Sequence, residues 1–462
     1  MEVFILKIYL PMFRFYFIVI INLLLFEPLE PIAGYQIVGN IKDLKANKCL
    51  LGYYFGSSNQ VVFVDTAKVD TKGNFVFEGN QQLAEGLYFV EFPTKKRLDL
   101  VIGAGQNFEF STDFANLNNH ISFKNSDENT LYYSYINFVR PRQASLKTRL
   151  STEQNSKIQQ ELYTFQTSFF KEKSGHLATS ILAANEIPYI PTFTLPNGKP
   201  DNDKVYHYYK NHLFDNINLG DERLTRTNLI EPKIDEYIQK LTYQVADSAI
   251  KSVDALMQKA PVPAFRKYFA SKMLNFYQKK PFIGAENVYI HLIDRYYINE
   301  PNLWDASALK QMTSRANTLR PLLLGKKIPN MTVTGTDGKM YSLHDIQARY
   351  TILYIYSLDC PHCQEHAPKV AALQTKLAVK GVKFFAVAVE RDEAKWRNFI
   401  AKYHTQNLLN LMDKNNIINF VKEYNTVEYP TDFVLDSQKR IVGKQINPAL
   451  LEDYIKYLDQ KK

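Results

Sequence analysis

In the last third of the chain an unbroken apolar run, Tyr350-Thr-Ile-Leu-Tyr-Ile-Tyr356, leads within four residues into Cys360-Pro-His-Cys363 and then into a helical segment over residues 361–378. A run of this kind without polar alternation reads as a strand buried on both faces, and such strands belong to parallel sheets covered by helices. The cysteines therefore fall where a buried strand gives way to a helix. Unpaired amide N–H groups and the positive end of the helix dipole meet there, and both stabilise a thiolate. A thiolate is the attacking species in disulfide exchange. Cys360 sits at the helix start, and Cys363, one turn along on the same side, is expected to be the more buried partner. Pro361 suits the first turn because its missing N–H has no partner there anyway. His362, when protonated, adds positive charge beside Cys360, whereas Asp359 adds negative charge that opposes the thiolate.

Two other readings of the pair stay open on the residues alone. Cys360, Cys363 and His366 have zinc-ligand spacing, although a fourth ligand has to come from afar and structural zinc sites usually sit on knuckle loops. A purely structural disulfide closes a loop too small to restrain the unfolded chain much.

The surroundings extend the pattern. Gly325-Lys-Lys-Ile-Pro-Asn330 opens a region with strands at 331–333, 350–356, 382–389 and 431–435, helices at 361–378, 392–403, 417–424 and 449–458, and a hairpin from Asp436 to Val442. Alternating strands and helices make an α/β sheet with helices on both faces. In Glu428-Tyr-Pro-Thr431, Pro430 directly precedes a strand, where proline can neither donate a ladder bond nor continue a helix. That makes it a candidate for a cis bond in a tight turn.

The rest of the chain is built differently. At 462 residues it exceeds one ordinary core, so two or three domains are expected. Residues 35–125 carry short β-branched or aromatic runs separated by turn signals such as Asp70-Thr-Lys-Gly73, which predicts a small antiparallel sandwich or barrel. Cys49 falls inside it as a small buried residue. Residues 126–324 change to helical period, with segments near 129–140, 152–173, 204–214, 232–258, 264–278, 285–297 and 306–324. The pairs Tyr132-Tyr133, Tyr208-Tyr209 and Tyr296-Tyr297 suit core packing, or the lining of a peptide groove. His207 and His212 are five apart, slightly off one helical face, and form no metal motif. The formal charge of +9 is spread among acidic residues with no block of like charge, which argues for a solvated surface and against a nucleic-acid groove. At the N-terminus, Lys7 and Arg14 precede the apolar residues 15–26, too short for an ordinary span; residues 1–34 read as a secretory signal peptide, with Met12 as an alternative start and a processing point at Ala33 and Gly34. An uncleaved anchor is the other reading. Export places the protein in an oxidising compartment.

From Lys326 to its end the chain resembles the thioredoxin superfamily, and within it the TlpA/ResA-like thiol-disulfide oxidoreductases of the cell envelope. Ile328-Pro329, Asp337-Gly-Lys339, Ser342-Leu343, Cys360-Pro-His-Cys363, Pro368 and Tyr429-Pro430-Thr431 with Leu435-Asp436 carry the resemblance. It implies that Cys360 attacks, that Cys363 resolves, and that the backbone at Tyr429, cis-Pro430 and Thr431 pairs with the substrate. Pro361, His362 and His366 are then the residues that tune the couple. No cofactor beyond the Cys360–Cys363 disulfide and no metal is implied. The implied partners are protein thiols and disulfides of the envelope and a membrane or envelope redox partner. The chain departs from the family in having Tyr354 six positions before the first cysteine, where thioredoxins carry a buried acid, and His366, next to Glu365, where close relatives often carry glutamate. The β-rich and helical regions more loosely resemble accessory portions found ahead of such domains in some Gram-negative envelope proteins. The competing expectation is a peptide- or partner-binding module with a thioredoxin-like scaffold and no redox turnover.

Overall fold

Side-chain alternation builds the first strands of the computed structural model, which describes residues 34–149, 151–279 and 282–460. The apolar N-terminal run, Met12 and Ala33 lie outside the described residues. In β1 (Tyr35–Lys42), Ile37, Gly39 and Ile41 turn inward while Gln36 and Lys42 face water. The strands β2 (Lys48–Tyr54), β3 (Val61–Lys68), β4 (Asn74–Gly79), β5 (Gly86–Glu91), β6 (Arg97–Ile102), β7 (Asn107–Asp113) and β8 (Ser122–Lys124) complete two four-stranded sheets. Their orders are β4-β1-β7-β8 and β3-β2-β5-β6. The expectation of an antiparallel β region needs one correction, since β1 and β7 run parallel. Five strands in two sheets separate them along the chain, so no hairpin dictates their relative direction.

The middle of the chain is helical: α1 (Asp127–Leu146), α2 (Thr152–Glu172), α3 (Leu177–Asn185), α4 (Asn202–His212), α5 (Ile230–Asp235), α6 (Ala246–Gln258), α7 (Pro263–Gln278), α8 (Ala285–Leu292) and α9 (Ala306–Leu319). The single helix expected over 232–258 is broken. Thr242 Oγ1 donates to the Tyr237 carbonyl at 2.8 Å, and the Gln244 amide donates to those of Ile238 and Thr242, so side chains take up helix-end carbonyls. Two of the three tyrosine pairs are core: Tyr132, Tyr133, Tyr296 and Tyr297 are buried. Tyr208 and Tyr209 are only partly buried. The β-rich and helical parts share one hydrophobic cluster running from Ile37 to Leu323. Asn129 of α1 seals the junction by bonding both the amide and the carbonyl of Val101.

The C-terminal part contains β9 (Thr332–Gly335), β10 (Met340–Ser342), β11 (Tyr350–Tyr356), α10 (Pro361–Ala378), β12 (Val382–Ala388), α11 (Glu393–Lys402), β13 (Leu409–Met412), α12 (Phe420–Tyr424), β14 (Thr431–Asp436), β15 (Ile441–Lys444) and α13 (Pro448–Gln460). One seven-stranded sheet has the order β10-β9-β13-β12-β11-β14-β15. β11 runs parallel to β12 and antiparallel to β14. Every residue of β11 is buried, because alternate side chains enter different layers: Ile352, Tyr354 and Tyr356 pack with Trp396 and Leu451, whereas Leu353 and Ile355 pack with Phe433, Tyr424 and Leu322. That two-sided burial, at about 1.5–3 kcal/mol for each large apolar side chain, fixes the end of β11 and with it the cysteines.

Candidate active site

The site is assembled where β11 ends. Glu390, just past β12, holds the connection to α10: its carboxylate accepts from Ser357 Oγ at 2.5 Å and from the Leu358 amide at 3.0 Å. Cys360 is the residue that precedes the helix, in extended backbone conformation, and Pro361 occupies the first helical turn. Cys360 is half-buried and Cys363 fully buried, and both are free thiols. Burial pushes the Cys363 thiol up to about 12, helped by Cys360 and Glu390 and opposed by a hydrogen bond from the Ser357 backbone. Asp359 is exposed and is met by Lys395 Nζ of α11 at 2.6 Å, so the negative charge expected to oppose a thiolate at Cys360 has its own counter-ion.

A second loop approaches from β14. The Tyr429–Pro430 peptide is cis, and Cys360 Sγ donates to the Tyr429 carbonyl at 3.3 Å. The Thr431 side chain is buried and donates to the Glu428 carbonyl at 2.7 Å, closing the turn behind the proline. Beside the two loops lies a cleft of about 370 Å³ with Ile352, Val370 and Phe384 in its floor and His362, His366 and Asp432 among its polar groups. His362 is exposed and His366 half-buried on successive turns of α10. Glu365 turns away and pairs with Lys369 at 2.7 Å.

Tyr354 is buried, its hydroxyl without a hydrogen-bond partner, and burial with the nearby cysteines raises it well above an ordinary tyrosine. Asp432 lies opposite it across the β11–β14 ladder, and burial raises its carboxyl to about 7 against a hydrogen bond from the Ile446 amide. Sequence reasoning gave Asp432, Glu390 and Lys395 no role. A signal existed only for Asp432, an acid directly before the apolar run Phe433-Val-Leu435 and two residues after Pro430. Among the described residues no group of three or more His, Cys, Asp or Glu side chains gathers within reach of one metal ion. Cys49 is buried in β2, and burial pushes its thiol up to about 12.

A buried strand, a helix opening on Cys-X-X-Cys, and a cis-proline loop against the first sulfur define an oxidoreductase domain of the thioredoxin superfamily. Residues 324–444 match the AhpC/TSA family, and this part of the chain is a thioredoxin-like domain. Among curated relatives, thiol-disulfide oxidoreductase ResA of Bacillus thuringiensis is 28% identical over 137 residues, 29% of this chain and 77% of that protein. Thioredoxin-like protein YneN of Bacillus subtilis is 29% identical over 118 residues, 25% of this chain and 66% of its own length. Among solved structures, a domain of a possible thiol-disulfide isomerase from Cytophaga hutchinsonii is 36% identical, covering 31% of this chain and 97% of that one with a TM-score of 0.30. A thioredoxin-like protein from Bacteroides caccae is 19% identical, covering 59% and 99% with a TM-score of 0.46. Residues 35–132 and 147–318 match two domains of unknown function, DUF4369 and DUF5106.

Proposed function

We propose that the chain exchanges disulfides with proteins of the cell envelope through Cys360 and Cys363. The observation that carries the reading is the half-buried Cys360 sulfur, at the start of α10 and in contact with the Tyr429 carbonyl next to Pro430. Cys360 attacks a substrate disulfide, and the substrate chain lies along the backbone at Tyr429, Pro430 and Thr431 in place of that S–H···O contact. Cys363 then attacks Cys360 and releases the reduced substrate. Two electrons pass from the dithiol to the substrate, so the redox-active pair is the only cofactor required. Pro361, His362 and His366 tune the couple from the first two turns of α10. Export rests on the apolar N-terminal segment, and an envelope redox partner returns the pair to its starting state. No described helix is long and apolar enough to cross a membrane.

Insulin reduction by the full chain and by Cys360→Ala tests the reading. Turnover is expected for the wild type and none above background for the variant. Equal rates for the two proteins would leave only the binding-module reading.

A further inference from the structure

Far from the cysteines in sequence, a cavity of about 200 Å³ opens between β6, α1, the end of α3 and the loop before α5. It is smaller than the roughly 300–1,000 Å³ that drug-sized ligands fill, so it suits a small occupant. The α1 residues that line it, Tyr132, Tyr135, Ile136, Val139, Arg140 and Gln143, recur at three- and four-residue spacing and form one stripe of the helix. Ile136 and Val139, with Ile181 and Leu182 of α3, make its apolar wall. The polar groups follow one another along α1. Asp99 of β6 stands beside Tyr132 and Tyr133: the Tyr54 hydroxyl donates to its carboxylate at 2.9 Å, and the Tyr133 hydroxyl donates to its backbone carbonyl at 2.8 Å. Glu186 stands at the level of Tyr135, whose hydroxyl donates to Glu186 Oε1 at 2.6 Å. Lys233 meets Glu186 at its backbone carbonyl, 3.3 Å away. Arg140 comes five residues after Tyr135, about 7.5 Å further along the helix axis; it is exposed and holds no ion pair among the described residues. Burial pushes the Asp99 carboxyl up, against the Tyr54 hydrogen bond and the charges of Arg140 and Arg97, so the groups around this carboxylate do not fully compensate its charge.

We infer that this cavity binds the free α-ammonium end of an apolar amino acid, with the ammonium at Asp99 and Glu186, the side chain against Ile136, Val139 and Leu182, and the adjoining carboxylate or carbonyl oxygen at Arg140. The assignment does not depend on the exchange chemistry of Cys360. An ammonium carries three donors and no acceptor, which suits two acids brought together from different elements. Hydrogen bonds in which both partners are charged are the strong ones. The spacing fits as well. In an α-amino acid the nitrogen and the carboxyl oxygens lie about 3 Å apart, and a hydrogen bond of about 2.8 Å at each end lets the molecule bridge groups about 8–9 Å apart. The acids and the guanidinium are offset by about that distance along α1. Ile136, Val139 and Leu182 offer a charged side chain no partner, so the body between the two ends is apolar. A free amino acid and the first residue of a peptide present the same group. In the peptide the chain leaves past Arg140, which is exposed. An acylated amine has lost the charge that the two acids require.

Isothermal titration calorimetry of the full chain with L-leucine, leucyl-glycyl-glycine, N-acetyl-L-leucine and isoamylamine tests the site. Leucine, the tripeptide or both are expected to bind, and N-acetyl-L-leucine is not. Tighter binding of leucine assigns the site to free amino acids, whereas equal or tighter binding of the tripeptide assigns it to a peptide N-terminus. Asp99→Asn and Glu186→Gln are each expected to weaken leucine binding by roughly ten- to hundredfold. Arg140→Gln is expected to weaken leucine binding by a similar factor and to leave isoamylamine, which has no carboxylate, at its wild-type affinity. Because Arg140 is exposed, that variant decides if Asp99→Asn does not fold. Absence of binding by both leucine and the tripeptide at millimolar concentration overturns the assignment, as does N-acetyl-L-leucine binding as tightly as leucine, or leucine binding that none of the three substitutions weakens. A parallel loss of isoamylamine in Arg140→Gln overturns the role given to Arg140.

Discussion

Burial acts on Asp432 and Cys363 in the same direction, holding both protonated further up the pH scale than in an unfolded chain. For Asp432 the consequence for stability has a definite sign. The folded chain binds this proton more tightly than the unfolded one, so its contribution is complete below about pH 4 and is lost as pH rises toward 7. The slope is at most about 1.4 kcal/mol per pH unit, lessened by solvent because the residue is partly exposed. Asp432→Asn removes that slope. Its urea midpoint is expected to gain on the wild type between pH 4 and pH 7 and to run parallel above about 8. A wild type that gains on the variant over the same interval contradicts the assignment of a buried, protonated carboxyl.

At the scale of elements, the short connection between β11 and α10 is what aims Cys360, and Glu390 is its clamp through two hydrogen bonds. Glu390→Ala leaves the Leu358 amide without its partner and is expected to cost about 1–3 kcal/mol, read as a lower denaturation midpoint, together with slower exchange. An unchanged midpoint and rate would show that the connection holds without it. The elements nearest the chemistry were legible because their signals are local: the apolar run of β11, the Cys-Pro-His-Cys opening of α10, and Pro430 before β14. The elements that escaped depend on distant partners. The start of α3 is capped by Glu128 of α1, whose carboxylate accepts from the Leu177 and Ala178 amides, and nothing near residue 177 announces it. β13 is four residues long and exists because β12 and β9 flank it. β2 contains Gly52 and shifts register there against β3, which blurs its alternation, and β8 has only three residues. The helix expected over 417–424 shortens to α12 because Asp413 takes the amides of Ile417 and Ile418 into a turn and Asn419 caps what remains. Asp432 escaped for the same reason, since its partner across the ladder is invisible in a linear reading.

Across the whole molecule, the thioredoxin-like part is joined to the helical part by more than a linker. Gly325 donates to the Ile441 carbonyl, and Ile441 donates back to Lys326, each at 2.8 Å, so the connecting segment lies along β15. Lys444, at the end of β15, forms a nearly buried ion pair with Glu286 of α8. Breaking a buried pair by removing one partner costs up to about 3–5 kcal/mol. Glu286→Gln is therefore expected to lower the unfolding temperature and to speed proteolysis around residues 320–327, whereas unchanged cleavage and melting would assign the contact no role in joining the two parts. The exchange chemistry itself is tested most directly by trapping its intermediate. With Cys363→Ser and a disulfide-containing substrate protein, a mixed disulfide is expected to accumulate, and peptide mass spectrometry is expected to locate it on Cys360. An adduct on Cys49, or none at all while the wild type reduces the same substrate, would contradict attack by Cys360.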